Sequence, residues 1–320
     1  MDNASSTNAE FWQMTFEDLA ELVLRNEQFS MRPIAMQVLA DRAQAESENL
    51  SILANALEDL DPSTRRRAAR TLAFCGQSAR SLLPLVCQLL RSDTIWTVRE
   101  AAASAIKHIC WPAPALDSSD EIPLQLVESV LLDRESLVRE ACVHALKACL
   151  KDPSMAESVT ATIWRRLEGG MQHPHASRRC RAVSALCDLM NQDPTVVARC
   201  IAQGLRDSHW KVRRTTVQRL ADRPNLVFSQ SGRRFILPEL IKRRFDQNGI
   251  VQKATIETVQ KLQASCQSRK VEMVLKGLTV HPSPFSALSF VLHQFELSET
   301  GETELRQICQ RRLKWQADTL

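Results

Sequence analysis

Hydrophobic residues recur along the chain at helical spacing, in pairs of segments that repeat every 33 to 40 residues. The clearest copies are 93–106 and 133–146, in which Asp, Val, Arg, a small residue, Ala and an aliphatic residue occupy identical offsets. Apolar positions three and four residues apart are typical of one buried helix face. The sequence therefore predicts a series of repeated helices, and this repetition governs the rest of the interpretation.

The arginine six residues after the aspartate marks each copy, and we use it as the anchor of the repeat. The anchors are Arg32, Arg65, Arg99, Arg139, Arg179 and Arg213, with Gln252 in a weaker seventh copy. Each anchor helix is preceded by another segment with its own apolar stripe, so a repeat consists of an outer helix followed by an inner helix. One such hairpin cannot bury both stripes alone. Stacking of neighbouring copies is therefore expected to complete the core.

Local signals predict where the inner helices begin. The residue two before the anchor is a hydroxyl residue in four copies, which predicts N-caps at Ser30, Ser63, Thr97 and Ser177. Phe29, Trp96 and Trp210 stand just before these positions, where a hydrophobic residue packs onto the helix start or anchors a partner. Segments 111–123 and 222–232 are rich in Pro, Ser, Asp and Gly and predict loops at one edge of the stack.

Taken together, these patterns predict an all-α protein, a right-handed superhelical α-solenoid of about seven two-helix repeats. Residues 1–9 are polar and predict a disordered tail, residues 10–265 the solenoid, and residues 266–320 a helical cap over the last repeat. Eight glycines and no tyrosine in 320 residues agree with a mostly helical chain.

Composition also limits the environment of the protein. No apolar run approaches the roughly 18 residues needed to span a bilayer, and the N-terminus lacks a basic segment followed by an apolar one. We therefore expect a cytoplasmic protein without a membrane segment. Ten cysteines are present but none forms a C-x-x-C pair, so we expect reduced thiols that pack as small hydrophobic residues.

The frame of aspartate, aliphatic residue, arginine and Ala-Leu resembles the HEAT repeat family, including its bacterial branch, over residues 16–265. In that family the aspartates and arginines form a ladder that ties adjacent turns together. The resemblance implies that the ladder here consists of Asp59, Arg65, Asp93, Arg99, Asp133, Arg139, Asp207, Arg213 and Asp246. Asn26, His173 and Gln252 depart from the pattern.

Enzymes of HEAT-like fold provide a test for catalytic residues. The metal-dependent hydroxylases carry repeated His-Glu pairs, and this sequence contains no His-Glu dipeptide. No nucleophile with its base and no phosphate loop is present. His173 and His175 lack further ligands nearby in sequence, so a plain turn is favoured over a metal site. We therefore expect no catalytic residues, metal or cofactor.

Charge is distributed unevenly and leaves two kinds of partner open. Residues 1–60 carry a net charge of −8, whereas residues 151–250 carry +9. The basic half fits nucleic acid or an acidic protein. Positions one, five and eight residues after the anchor are expected to line the inner groove, and they form a mixed surface rather than a continuous track for phosphates. The candidate partner-binding residues are Arg66, Arg70, Trp96, Lys107, His144, Lys147, Trp210 and Arg214. The sequence favours a non-catalytic protein-binding scaffold, with nucleic-acid binding through 151–250 as the alternative.

Overall fold

A computed structural model describes residues 10–25, 32–45, 50–110, 121–153, 155–189 and 194–264. Helices dominate these ranges, and none of their residues forms a β-strand. The prediction of an all-α repeat fold is confirmed. The predicted tail at 1–9, the predicted cap at 266–320, Phe29 and Ser30 lie outside the described residues.

The described chain forms two compact units, Met1–Leu167 and Glu168–Leu320. In the first unit, outer and inner helices alternate. They are α1 (Phe16–Arg25), α2 (Arg32–Ala45), α3 (Leu50–Leu57), α4 (Pro62–Cys75), α5 (Leu83–Ser92), α6 (Trp96–Cys110), α7 (Glu121–Leu132) and α8 (Ser136–Cys149), with a 3₁₀ turn at Gly76–Leu82. Helix α9 (Glu157–Met171) runs from the first unit into the second.

In the first unit, inner helices pack on inner helices and outer helices on outer helices. The inner helices α2, α4, α6 and α8 stack in sequence order, and the outer helices α1, α3, α5 and α7 form a second layer beside them. The apolar stripes meet between the layers, where Leu53, Leu72, Ile106 and Leu146 are fully buried. Each repeat thus completes the core of its neighbour, as the two-stripe pattern predicts.

The second unit follows the same plan. Its helices are α10 (Ala176–Asp188), α11 (Pro194–Arg206), α12 (Trp210–Ala221), α13 (Pro224–Phe228), α14 (Gln230–Arg243) and α15 (Gly249–Ala264). Inner helices α10, α12 and α15 stack, and outer helices α11 and α14 pack together. The prediction of a loop throughout 222–232 is wrong. Pro224 starts a short helix whose Leu226 and Val227 are buried, and α14 begins at Gln230.

The inner helices α4, α6, α8, α10, α12 and α15 share one starting rule: each begins three residues after the aspartate position of its repeat. The aspartate folds the turn, because its carboxylate accepts the backbone N–H two residues on, as Asp93 does from Ile95 at 2.8 Å. In α4 the N-cap is Asp61, which accepts from the backbone N–H groups of Ser63 and Thr64.

The N-caps predicted at Ser63, Thr97 and Ser177 are therefore wrong. Each of these residues is the second residue of its helix. Trp96 and Trp210 do not precede a cap but are the first residues of α6 and α12. The aspartate turn ends the loop earlier than the hydroxyl pattern alone suggests.

Two further expectations concern membranes and thiols. No described helix has an apolar stretch long enough to cross a lipid bilayer. The eight cysteines within the described ranges are unpaired, and all of them except Cys180 are buried. Burial raises the pKa of Cys75, Cys110 and Cys149 to about 12, so these side chains are protonated thiols at neutral pH.

Candidate functional site

One guanidinium group joins two successive interhelix turns at Arg65, Arg99, Arg179 and Arg213. In Arg65, Nη1 donates to the backbone carbonyls of Asp59 and Leu60 in its own turn, at 2.8 and 3.1 Å. Its Nε and Nη2 donate to the carboxylate of Asp93 in the next turn, at 2.7 and 3.1 Å. Both side chains of this bidentate pair are largely buried. The arginine therefore fixes the distance between neighbouring turns.

The same geometry recurs in both units. The bidentate pairs are Arg99 with Asp133 in the first unit, and Arg179 with Asp207 and Arg213 with Asp246 in the second. Arg139 makes the bonds to its own turn, donating to the carbonyls of Asp133 and Arg134. Asp59 contacts the exposed Arg25 at 3.4 Å. The ladder prediction omitted Arg179, although its position in the anchor frame marked it.

Two neutral residues replace ladder groups without changing the fold of the turn. His173 stands in the aspartate position, and its Nδ1 accepts the backbone N–H of His175 at 3.0 Å. Gln252 stands in the arginine position and donates to the carbonyl of Asp246 at 2.5 Å. The pKa of Asp246 is below its ordinary value. Burial acts in the opposite direction, but the hydrogen bonds from Arg213 and the Asn248 backbone outweigh it.

The first unit has an open cavity of about 470 Å³ on its inner face, between α4, α6 and α8. Five of the eight predicted partner-binding residues line it together: Arg66, Arg70, Trp96, Lys107 and His144. Lys147 is half-buried on α8 outside this lining. Trp210 and Arg214 belong to α12 in the second unit. Positions one and five residues after the anchor thus converge in the first unit, joined by Lys107 from the eighth position.

Charges in this cavity are only partly compensated. Arg70 lies 3.6 Å from Glu100, and both side chains are accessible to water. Within the described part of the chain, neither Arg66 nor Lys107 has a carboxylate within ion-pair distance. The Nε of Arg66 is buried without a hydrogen-bond partner among those residues. The cavity therefore presents cationic groups that an incoming anionic side chain can pair with.

Apolar side chains form one border of the cavity. Trp96 is 38% exposed and Leu137 is 50% exposed, and both line the cavity. Leu137 was not among the predicted partner-binding residues. The sequence did contain a signal for it, because Leu137 occupies the position two before its anchor, where four other copies have Ser or Thr. Its place on the surface is set by the helix start at Ser136.

The equivalent face of the second unit has side-chain contacts between its inner helices. Arg219 donates to the hydroxyl of Ser184 at 3.1 Å and lies 3.8 Å from Asp188. Arg223 also pairs with Asp188, and Cys187 is buried. Arg219 and Arg223 therefore pair with groups of α10, while Arg214 and Gln218 of α12 are exposed.

Several arginines of the basic region also have carboxylate partners. Arg206 lies 2.9 Å from the buried Glu239, which Lys242 contacts at the same distance. Arg243 lies 2.8 Å from Asp246. Arg178 contacts a ring nitrogen of His173 instead. Among the described residues, no group of three or more His, Cys, Asp and Glu side chains is placed to hold a metal ion.

The family comparison agrees with this geometry. A model of HEAT repeats matches residues 16–107 and, in a second overlapping match, residues 50–147. Residues 16–147 therefore carry HEAT repeats. The aspartate–arginine ladder described above runs through this matched region, and the same ladder continues in the second unit.

Solved structures with repeated helices resemble this chain. One is a chain from the structure in which Kap95p binding induces the switch loops of RanGDP to adopt the GTP-bound conformation. It has 15% sequence identity and a TM-score of 0.53, and the match covers 90% of the present chain and 45% of that chain. The present chain thus spans less than half of its length. At this identity the likeness extends to the fold alone.

Two further matches are weaker. The YibA protein of Escherichia coli has 17% identity and a TM-score of 0.41, with 97% of this chain and 98% of that chain covered. The complex of CpcE and CpcF of the Nostoc phycocyanin lyase gives 19% identity and a TM-score of 0.35, with 83% and 94% covered. A search of proteins with curated functions found no match.

Proposed function

We propose that this HEAT-repeat chain is a non-catalytic scaffold that binds a segment of a partner protein on the inner face of its first unit. The open cavity between α4, α6 and α8 carries this proposal. It combines cationic groups without carboxylate partners among the described residues and exposed apolar side chains. Arg and Trp together are the usual composition of energetically dominant positions in protein interfaces.

The ladder gives this surface the rigidity that binding requires. Arg65 and Arg99 each hold two turns with bidentate ion pairs, so the helices that bear the cavity residues have a fixed spacing. A preformed surface loses little conformational freedom when it binds. Binding therefore requires little ordering of the site.

Charge pairing favours a protein over nucleic acid as the partner. Arg206, Arg223 and Arg243 in the basic region contact carboxylates, which reduces the positive field available to phosphates. The cavity itself contains Glu100 and Glu140, which repel a phosphate backbone. An acidic protein segment that places single carboxylates beside Arg66 and Lys107 avoids that repulsion.

A site-specific photocrosslinker tests the location and the class of partner. A photoreactive amino acid replaces Ser104, which lines the cavity, in cells of the native host. The matched control replaces Gln218, which occupies the same repeat position on α12. We expect a protein adduct from position 104 that is absent at 218 and that disappears in the double variant Arg66→Glu, Arg70→Glu.

Other results contradict the proposal. Adducts of equal yield at both positions, or an adduct that survives charge reversal, place the binding surface elsewhere. An adduct that nuclease digests would transfer the function to nucleic-acid binding. Circular dichroism of the double variant checks that the helices remain intact, because both arginines reach the surface of α4.

A further inference from the structure

Three exposed arginines lie on the outer layer of the second unit, and together we call them the arginine patch. Arg199 belongs to α11, whereas Arg233 and Arg234 lie near the start of α14. Their contacts with the described part of the chain are with an aromatic ring or a backbone carbonyl, not with a carboxylate. The patch therefore differs from the paired arginines elsewhere in the basic region.

One phenylalanine ring joins two members of the patch. The Cζ of Arg199 lies 5.4 Å from the centre of the Phe235 ring, and the Cζ of Arg234 lies 5.2 Å from the same point. The two Cζ atoms are therefore no more than about 11 Å apart, a distance at which like charges still repel each other. One helical turn earlier, the hydroxyls of Thr195 and Ser231 join the same two helices at 3.0 Å.

The helices that carry the patch contribute no free carboxylate. Glu239 is the one acidic residue in α11 and α14, and it is buried between Arg206 and Lys242. An exposed arginine of the first unit is different, because Arg166 lies 3.3 Å from the exposed Glu128. The patch is therefore a local concentration of positive charge that an external anion can neutralise.

The chemistry of the patch favours a phosphate group as that anion. A carboxylate carries one charge and is matched by one guanidinium fork, whereas a phosphorylated side chain carries up to about two charges and three acceptor oxygens. Such a group between Arg199 and Arg234 removes the repulsion between them. Both side chains are exposed, so rotation about their bonds brings both forks onto one group.

The size of the patch distinguishes among partners that carry phosphate. Proteins on duplex DNA often contact about six to ten phosphates, more than three arginines can engage. Single strands stack their bases on aromatic rings, but the Phe235 ring already has guanidinium groups over it. Anionic membranes attract clusters of about four to eight basic residues. A single phosphorylated residue fits the patch best.

We propose that the arginine patch binds a phosphorylated serine or threonine of a partner protein. The forks of Arg199 and Arg234 donate to the phosphate oxygens, and Arg233 adds a third positive charge beside them. This inference goes beyond the binding proposed for the first unit and does not depend on it. It makes binding to the second unit depend on the phosphorylation state of the partner.

Immobilised peptide libraries test the requirement for phosphate. The central residue is phosphoserine in one library, serine in a second and aspartate in a third, and the flanking positions are degenerate. The full chain is applied at the ionic strength of the cell, and the bound fraction is measured. We expect about tenfold more retention on the phosphoserine library than on either control, because charge-assisted hydrogen bonds form with phosphate alone.

Matched variants test the location. Arg199→Ala with Arg234→Ala should lower retention about tenfold, whereas Lys211→Ala with Lys253→Ala removes the same charge from exposed positions on α12 and α15 and should change nothing. Arg199→Lys with Arg234→Lys keeps the charge but loses the forks, so retention should fall about threefold. Thermal unfolding of all three double variants should match the parent chain, because the altered side chains are exposed.

Several outcomes overturn the inference. Equal retention on the phosphoserine and serine libraries removes the phosphate requirement, and an equal loss in the lysine double variant removes the location. Stronger retention on single-stranded DNA or on phosphatidylserine vesicles, lost in Arg199→Ala with Arg234→Ala, would assign the patch to nucleic acid or to a membrane. Any of these results leaves the crosslink from position 104 as the separate test of binding to the first unit.

Discussion

The inner faces of the two units use the same repeat positions for different purposes. In the first unit, the position one residue after the anchor holds Arg66, Glu100 and Glu140, all of which line an open cavity. In the second unit, it holds Cys180, Arg214 and Lys253. The sulfur of Cys180 accepts a hydrogen bond from Thr215 on the neighbouring inner helix, whereas Arg214 and Lys253 are exposed. A contact within the protein thus replaces an exposed charge at one of these positions.

The ladder, by contrast, is the same in both units. Arg99 with Asp133 and Arg213 with Asp246 have the same bidentate geometry, with both N–O distances between 2.7 and 3.0 Å. The comparison teaches that the turn positions specify the fold and leave the groove positions free to vary. Substitutions should therefore separate into two classes, those that unfold a repeat and those that alter its surface.

The largest expected effect comes from breaking a ladder pair. Arg99→Ala leaves the carboxylate of Asp133, whose side chain is 7% exposed, without its cation and removes the bonds to the Asp93 turn. Loss of one partner from a buried ion pair costs about 3 kcal/mol. Urea unfolding followed by circular dichroism should show the loss in the free energy of unfolding of the first unit.

The matched control is the exposed pair of the same unit. Arg25 lies 3.4 Å from Asp59 with 67% of its side chain exposed, so Arg25→Ala should cost less than about 0.5 kcal/mol. The double variant Arg99→Ala, Asp133→Asn should be less destabilised than Arg99→Ala alone, because it removes the buried charge and keeps an acceptor for the backbone N–H of Glu135. Equal costs for Arg25→Ala and Arg99→Ala would contradict a special role for the ladder.

The fold was largely predictable because it depends on residues that recur. Arg65, Arg99 and Arg213 occupy identical offsets from their aspartates, and a repeated offset can be recognised in the sequence without knowledge of the structure. The starts of the inner helices were harder to predict. Ser63 has the chemistry of an N-cap, yet the preceding Asp61 takes that role because the ladder turn places it there.

The site was predictable only in part, because it depends on contacts between helices as well as on the spacing of residues along one helix. Helical periodicity places Arg66 and Lys107 on the inner face, and both line the cavity. The same periodicity placed Arg214 on an inner face but did not reveal that its neighbours Arg219 and Arg223 are paired with Asp188. Pairing between helices depends on distances across repeats, which the spacing along one helix does not encode.

Freeing Arg219 and Arg223 from Asp188 tests how far this pairing neutralises the inner face of the second unit. Asp188→Asn removes the carboxylate that Arg219 and Arg223 share. We expect a stability loss of about 1 kcal/mol, because both guanidinium groups are partly exposed, and stronger retention on a heparin column. The column measures the cationic surface that the carboxylate normally neutralises.

Asp222→Asn is the control for net charge in that experiment. Asp222 is exposed and lies 3.9 Å from the exposed Lys261, so the variant changes the charge by the same amount without freeing the two arginines. Asp188→Asn should elute at higher salt than Asp222→Asn. Identical elution would mean that overall charge, rather than pairing on the inner face, governs the affinity for polyanions.

The smallest effect on partner binding should follow alkylation of Cys180 on the inner face of the second unit. Of the cysteines in the described ranges, this is the one that is not buried, whereas burial raises the pKa of the Cys187 and Cys200 thiols to about 12. In a Cys266→Ser, Cys309→Ser background at pH 8, iodoacetamide should therefore react first at Cys180. Mass spectrometry of tryptic peptides identifies the modified residue, and Cys180→Ser removes the rapid reaction.

Alkylation at Cys180 then distinguishes the two faces directly. The added group covers part of the second unit's inner face, and Cys180 is not among the residues that line the cavity between α4, α6 and α8. If partner binding belongs to the first unit alone, the alkylated chain gives the same crosslink yield from position 104 in host lysate as the unmodified chain. A lower yield after alkylation, with unchanged helix content, would mean that the partner also engages the second unit, and the assignment of binding to the first unit would have to be abandoned.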